Sequence, residues 1–199
     1  SQLNAGTSYD YTVYFNVFSP QYFAHWAELN SERLLNPVFR LFQSELETVY
    51  EEKNMYSDMM GMLAMERLTH RYFSPHPYAY PIIGSTENLK NPRLTEMRKF
   101  FEDYYVASNM GLILSGDFHA EEVIPILEKT FSRICSGKAP VSPSVALPDF
   151  RGKEKVKVKL PVPFVKMMAL GFRGVPANHK DKVAINIAMA LLNNENGTG

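Results

Sequence analysis

Residues 9–17 alternate. Tyr9, Tyr11, Val13, Phe15 and Val17 fall on one side, and Asp10, Thr12, Tyr14 and Asn16 on the other. A period of two in aromatic and β-branched residues predicts a half-buried strand. The preceding stretch LNAGTS, residues 3–8, reads as an edge. Ser19-Pro20 ends the strand and predicts a helix over 20–35, carrying Phe23, Trp26, Ala27 and Leu34. From Pro37, a residue tolerated in a first helical turn, a longer helical pattern runs to Phe73, with Gly61 as its candidate break. Its apolar positions include Phe39, Phe42, Leu46, Val49, Tyr50, Leu63 and Leu68, and the run Met55, Met59, Met60, Met62 and Met65 predicts adaptable core filling.

The stretch SPHPYAYPIIGS, residues 74–85, holds three prolines and a glycine and predicts an ordered loop. A helix over 92–106, an apolar strand over 110–116 and a helix opening at Asp117 and His119 follow. The Pro-, Ser- and Gly-rich segment 136–153 is a linker, which leaves a first domain over 1–135 and a second over 154–199. In the second, EKVKVKLPV and KMMALGF predict strands and 178–194 a helix. Helices alternate with strands, so the class is α+β or α/β.

Composition narrows the function classes. The chain has 199 residues, 45% of them hydrophobic and 21% charged, enough for a packed core. Its 21 basic and 21 acidic residues cancel, and no basic stripe makes a case for nucleic acid. Cys135 is the only cysteine, so no internal disulfide framework exists. No apolar run is long enough to span a bilayer.

The densest candidate chemistry lies in ELETVYEEKN, residues 45–54, where Glu45, Glu47, Glu51 and Glu52 occupy the long helical pattern. At about 100° per residue, Glu45 and Glu52 project within about 20° of each other, two turns apart. Glu47 and Glu51 form a second pair on another face. A solvated acidic face with Lys53 beside it is the ordinary expectation for such a run. Phe42, Leu46 and Val49 place the Glu45/Glu52 face along the apolar stripe, where a carboxylate is costly unless donors or a cation meet it. A zinc ion would meet that need.

On these residues the chain resembles the pitrilysin/insulinase family of zinc metallopeptidases, which carry His-x-x-Glu-His on one helix and a distal glutamate on another. SELETVYEEKN is similar to the segment that supplies the third zinc ligand. LNAGTSYDYTVYFNV is similar to the family's edge strand, HPYAYPIIGSTENL to its His-Pro-Tyr-Gly loop with Ala79 where Gly is usual, and FFEDYYVASNMGLILSGDF to its helix-to-strand passage. The four segments stand in the family's order over residues 3–118.

The resemblance implies a two-layer α/β sandwich of the LuxS/mitochondrial processing peptidase-like metallohydrolase type, truncated at the N-terminus. It makes residues 1–135 the remainder of the zinc-bearing domain and 154–199 the opening of a second domain without metal ligands. It implies Glu52 as a zinc ligand, Glu45 as its support, and Asn4 and Ala5 as residues that lie against a peptide or unfolded polypeptide substrate. A second half-molecule would close a chamber over that substrate.

His-x-x-Glu-His is absent from the chain. HWAEL at 25–29 has Leu29 in place of the second histidine, and His25 and Glu28 read as helix-surface residues. Glu66 and His70 have a metal-compatible spacing without a third partner; His76, His119 and His179 have none either. The expectation is therefore zinc in the intact protein, none bound to this chain and no catalytic residue within it, because a catalytic zinc needs three protein ligands and a base. The alternative is a non-catalytic binding or structural module of the same superfamily; an unrelated α/β interaction domain would make four ordered matches a coincidence.

Overall fold

The computed structural model describes residues 2–138, 140, 141, 144–147, 152, 155, 157, 168 and 170–193. It divides into two compact units, Ser1–Pro161 and Val162–Gly199.

The first unit opens with an antiparallel hairpin, β1 (Gln2–Thr7) and β2 (Thr12–Val17), in which Asn4 faces Phe15 and Ala5 faces Tyr14. The continuous strand expected over 9–17 is therefore shorter. Tyr9 and Tyr11 belong to the turn, closed by the Ser8 amide donating to the Tyr11 carbonyl at 2.8 Å. Val13, Phe15 and Val17, the expected buried face, are exposed.

A 3-10 turn at Pro20–Tyr22 leads into α1 (Phe23–Leu35). Phe18, Phe23 and Phe131 surround Trp26, with ring centroids 5.2 to 6.0 Å away. This cluster packs α1 on α6 (Ala120–Phe131), where Ala27, Ser31, Val123 and Thr130 are buried. Glu121 and Glu122 in the first turn of α6 and Lys129 in its last complement the helix dipole.

The helix expected from Pro37 starts later, as α2 (Phe42–Asp58), behind Leu41 in the left-handed region at φ 55. Its break falls at Met59, not Gly61: Met59 is extended at φ −85, ψ 106, and α3 (Met60–Phe73) carries Gly61 in its first turn. Met55, Met59, Met62 and Met65 are about half exposed, which corrects the reading of the methionine run as core. At 74–85 the chain forms the expected ordered loop, with a 3-10 turn at Pro77–Ala79 and Gly84 in the left-handed region, where a side chain would be strained. Short α4 (Thr86–Lys90) follows, capped by the Ser85 hydroxyl, and then α5 (Leu94–Tyr104).

Residues 110–115 are not a ladder strand. They lie outside regular structure, and among the described residues the only sheet is the β1–β2 pair. Ile113 stands 91% exposed. A strand is defined by its neighbour, and among the described residues none supplies the hydrogen bonds. What results is a mainly helical arrangement with a small sheet.

Of the second unit, α7 (Lys182–Asn193) matches the helix expected over 178–194. The strands expected at 154–162 and 166–172 fall mostly outside the described residues. No described helix is long and apolar enough to cross a membrane.

Candidate functional site

Helix α2 carries the candidate ligand row. At about 100° per residue, Glu45, Glu52 and Tyr56 fall within about 40° of one another. Glu45 and Glu52 are both exposed, which corrects the expectation that their face lies along the apolar stripe: water reaches both carboxylates, and burial does not call for a cation there. The Tyr56 phenol, one turn on, donates to Glu52 Oε1 at 2.6 Å. That hydrogen bond, together with the negative charge of Glu52, holds the Tyr56 phenol above the usual tyrosine range. Glu45 stands about 10 Å from Glu52 along the helix axis, too far for direct contact; any support it gives must pass through a group lying between them.

The second carboxylate pair faces elsewhere, as its phase requires. Glu47 and Glu51 line an open cleft of about 210 Å³ between α2 and α4, shared with Leu46, Tyr50, Leu89 and Lys90.

Lys53 does not neutralise the glutamates of its own helix. Its side chain is only 6% exposed, and its ammonium lies 2.8 Å from Glu66 Oε2 on α3, which is 38% exposed. The spacing of Glu66 and His70 is thereby put to another use: Glu66 braces α2 against α3, and the His70 ring meets Tyr80 edge-on at 5.8 Å. His76 also has a structural task, its Nδ1 accepting from the Tyr78 amide. Among the described residues, no three His, Cys, Asp or Glu side chains converge. The donor set present fits one carboxylate ligand of a zinc site and does not make up the site.

Asn4 and Ala5 lie together on β1, exposed, with Asn4 Oδ1 accepting from the Ala5 amide at 2.8 Å. β1 pairs with β2 along one side, and its other edge has no ladder partner among the described residues.

Three tyrosines not singled out in the sequence make contacts with the α2 row or the hairpin. Tyr56 touches Glu52, and its spacing of four from that residue was the available signal. Tyr78 donates to the Asp10 carboxylate, and Tyr105 shares a 2.6 Å hydrogen bond with Tyr14. These last contacts join residues 68 and 91 positions apart, beyond any local pattern.

The family described as Peptidase M16 inactive domain matches residues 93–198, more than half of the chain. Glu45, Glu52, Asn4 and Ala5 precede that stretch. Zinc protease PqqE of Helicobacter pylori is 29% identical over 195 residues, covering 95% of this chain and 44% of the relative. The uncharacterized zinc protease YmxG of Bacillus subtilis is 25% identical, covering 93% and 45%. Mitochondrial-processing peptidase subunit beta of Neurospora crassa is 22% identical, covering 98% and 42%. The chain thus spans less than half the length of these relatives.

Among solved structures, a protease from Helicobacter pylori matches at TM-score 0.63 and 28% identity, over 73% of this chain and 36% of the other. The periplasmic protease PqqL of Escherichia coli matches at TM-score 0.62 and 21% identity, over 73% and 17%, a likeness of fold.

Proposed function

The chain belongs to the pitrilysin-like M16 peptidase family, and from that premise we propose that it is part of a zinc-dependent metalloendopeptidase, to which it contributes a metal ligand and a substrate edge but no complete active site. The observation that carries this reading is the exposed row on α2. There Glu52 presents a carboxylate held at one oxygen by Tyr56, seven residues after an exposed Glu45.

A bound zinc would polarise the peptide carbonyl and acidify a water molecule. The chain's own part is simpler. Glu52 would hold the metal through a carboxylate oxygen. The Tyr56 hydroxyl would fix the rotation of that carboxylate, and Glu45 would steady an intervening ligand from two turns away. Asn4 and Ala5 would lie along an extended substrate chain, which adds to the free edge of β1 through main-chain hydrogen bonds. The histidines and the general base would come from outside these 199 residues, so the chain alone would not hydrolyse peptides.

Two finer features belong to the same proposal. Residues 110–115 would become a strand of a two-layer α/β sandwich when neighbouring strands are present. A second half-molecule would close a chamber over the substrate.

The match of 93–198 to the inactive domain favours a second reading, a non-catalytic module of the same superfamily. One experiment separates the two. A longer form of the protein carrying this chain is purified with and without Glu52→Gln, and its zinc is counted by atomic absorption. The proposal expects one zinc per chain, lost in the variant. No zinc in either supports the non-catalytic module, and equal zinc in both removes Glu52 from the metal site.

A further inference from the structure

A two-stranded hairpin on its own is marginally stable in water, and the β1–β2 pair is exposed along almost its whole length. Its orientation must therefore come from outside. Among the described residues, two hydrogen bonds distant in sequence tie it to the helical body, and phenols make both.

At the tip, the Tyr78 hydroxyl donates to the Asp10 carboxylate while its ring lies 4.7 Å from that of Tyr9. Midway along the ladder, the Tyr105 and Tyr14 hydroxyls share a 2.6 Å hydrogen bond, and Tyr14 stands directly opposite Ala5. Each phenol is itself held from behind. The Tyr78 amide donates to His76 Nδ1 at 3.2 Å, and the His76 ring stands edge-on to the Tyr78 ring at 4.6 Å. The Tyr105 ring stacks on Phe101 at 4.3 Å, and Phe101 meets Phe39 edge-on at 6.2 Å. One contact would leave the hairpin free to pivot; two, separated along the ladder, fix its tilt.

We propose that Tyr78 and Tyr105 are positioning residues for the open edge of β1, setting Gln2–Thr7 at the angle at which an extended peptide adds as a third strand. The inference rests on reading β1 as the substrate edge. Neither phenol touches the peptide. Each acts through the strand, by a hydroxyl that accompanies a ring contact with Tyr9 or Tyr14.

The test uses a longer form of the protein carrying this chain, with Tyr78→Phe and Tyr105→Phe, which keep the rings and delete the hydroxyls. Hydrogen exchange at Gln2–Thr7 and Thr12–Val17 reads the edge. Fluorescence anisotropy with a labelled, unstructured peptide of alternating valine and serine reads its use. A lost hydrogen bond of this type is expected to speed exchange in β1 and weaken the peptide by about 3- to 10-fold in each variant, with helix content unchanged and the double variant weaker than either single. Asp10→Asn, which retains an acceptor for Tyr78, should fall between parent and Tyr78→Phe; a merely structural role gives no reason for that order in peptide affinity. Unchanged exchange in both variants overturns the role of the phenols even where the peptide binds. A parent protein without peptide affinity overturns the reading of the edge, while faster exchange in the variants still upholds the phenols as what orients it.

Discussion

Removing Glu66 should hurt more than removing Lys53, although the two form one ion pair. The Lys53 side chain is 6% exposed and that of Glu66 38%, with 2.8 Å between ammonium and carboxylate. In Glu66→Met the ammonium stays in the α2–α3 contact without its acceptor. A fully buried pair so broken costs about 3–5 kcal/mol. Water reaching the exposed side of this pair lowers the figure to about 2–3 kcal/mol. In Lys53→Met the carboxylate turns outward to water and a flexible apolar chain fills the space, at a cost of about 1 kcal/mol or less. Hydrogen exchange of the α2 and α3 amides reads the local opening directly. At about 1.4 kcal/mol per tenfold, Glu66→Met should reduce protection roughly 30- to 150-fold. Lys53→Met should reduce it several-fold, and the double variant should resemble Lys53→Met. If Lys53→Met costs as much as Glu66→Met, the ammonium is not the group that burial penalises, and the reasoning fails.

Other consequences follow from single contacts. A methyl at Gly137 would lie 2.5 Å from a Val106 methyl, and Val106 is 6% exposed; Gly137→Ala should destabilise by about 1–3 kcal/mol in urea melts, and Val106→Ala in the same chain should recover part of that loss. Leu41 holds a left-handed conformation at φ 55 in front of α2, so Leu41→Gly should be neutral or stabilise by up to about 1 kcal/mol; a loss above that would refute the strain. Burial and the hydrogen bond to Tyr14 raise the Tyr105 phenol well above its ordinary value of 10.0. Because the folded state holds this proton longer than the unfolded chain, its contribution is complete below pH 10 and declines as pH rises beyond it; ultraviolet titration should show several late tyrosines, Tyr56 and Tyr78 among them, and Tyr105→Phe should remove one tyrosine's worth of the late absorbance change. Glu45→Gln in the longer protein should weaken zinc by about 10- to 100-fold, the usual cost of losing a group that steadies a metal ligand, and an unchanged affinity would remove Glu45 from the site.

The helices were the legible part of the fold. Positions 20–35, 92–106 and 178–194 carry patterns strong enough that α1, α5 and α7 lie where periodicity puts them. The break at Met59 was not legible, because methionine gives no stop signal and the glycine two residues on drew the prediction. The apolar run at 110–116 reads as a strand, but pairing is a property of two segments and a pattern reports only one. The methionines mislead for a related reason: an apolar side chain records a preference for cover, and Met55, Met59, Met62 and Met65 find little here. At the candidate site the phase of Glu45 and Glu52 followed from spacing alone. The brace from Lys53 to Glu66 and the phenols on Asp10 and Tyr14 depend on chain crossings that no local pattern encodes.

The central claim concerns the free oxygen of Glu52. A crystal structure of the longer protein loaded with zinc tests it most directly. The account predicts an ion with a Glu52 carboxylate oxygen at about 2.0–2.2 Å, and Tyr56 still on the other oxygen. An ion fully coordinated by other side chains, with Glu52 touching only Tyr56, would contradict it.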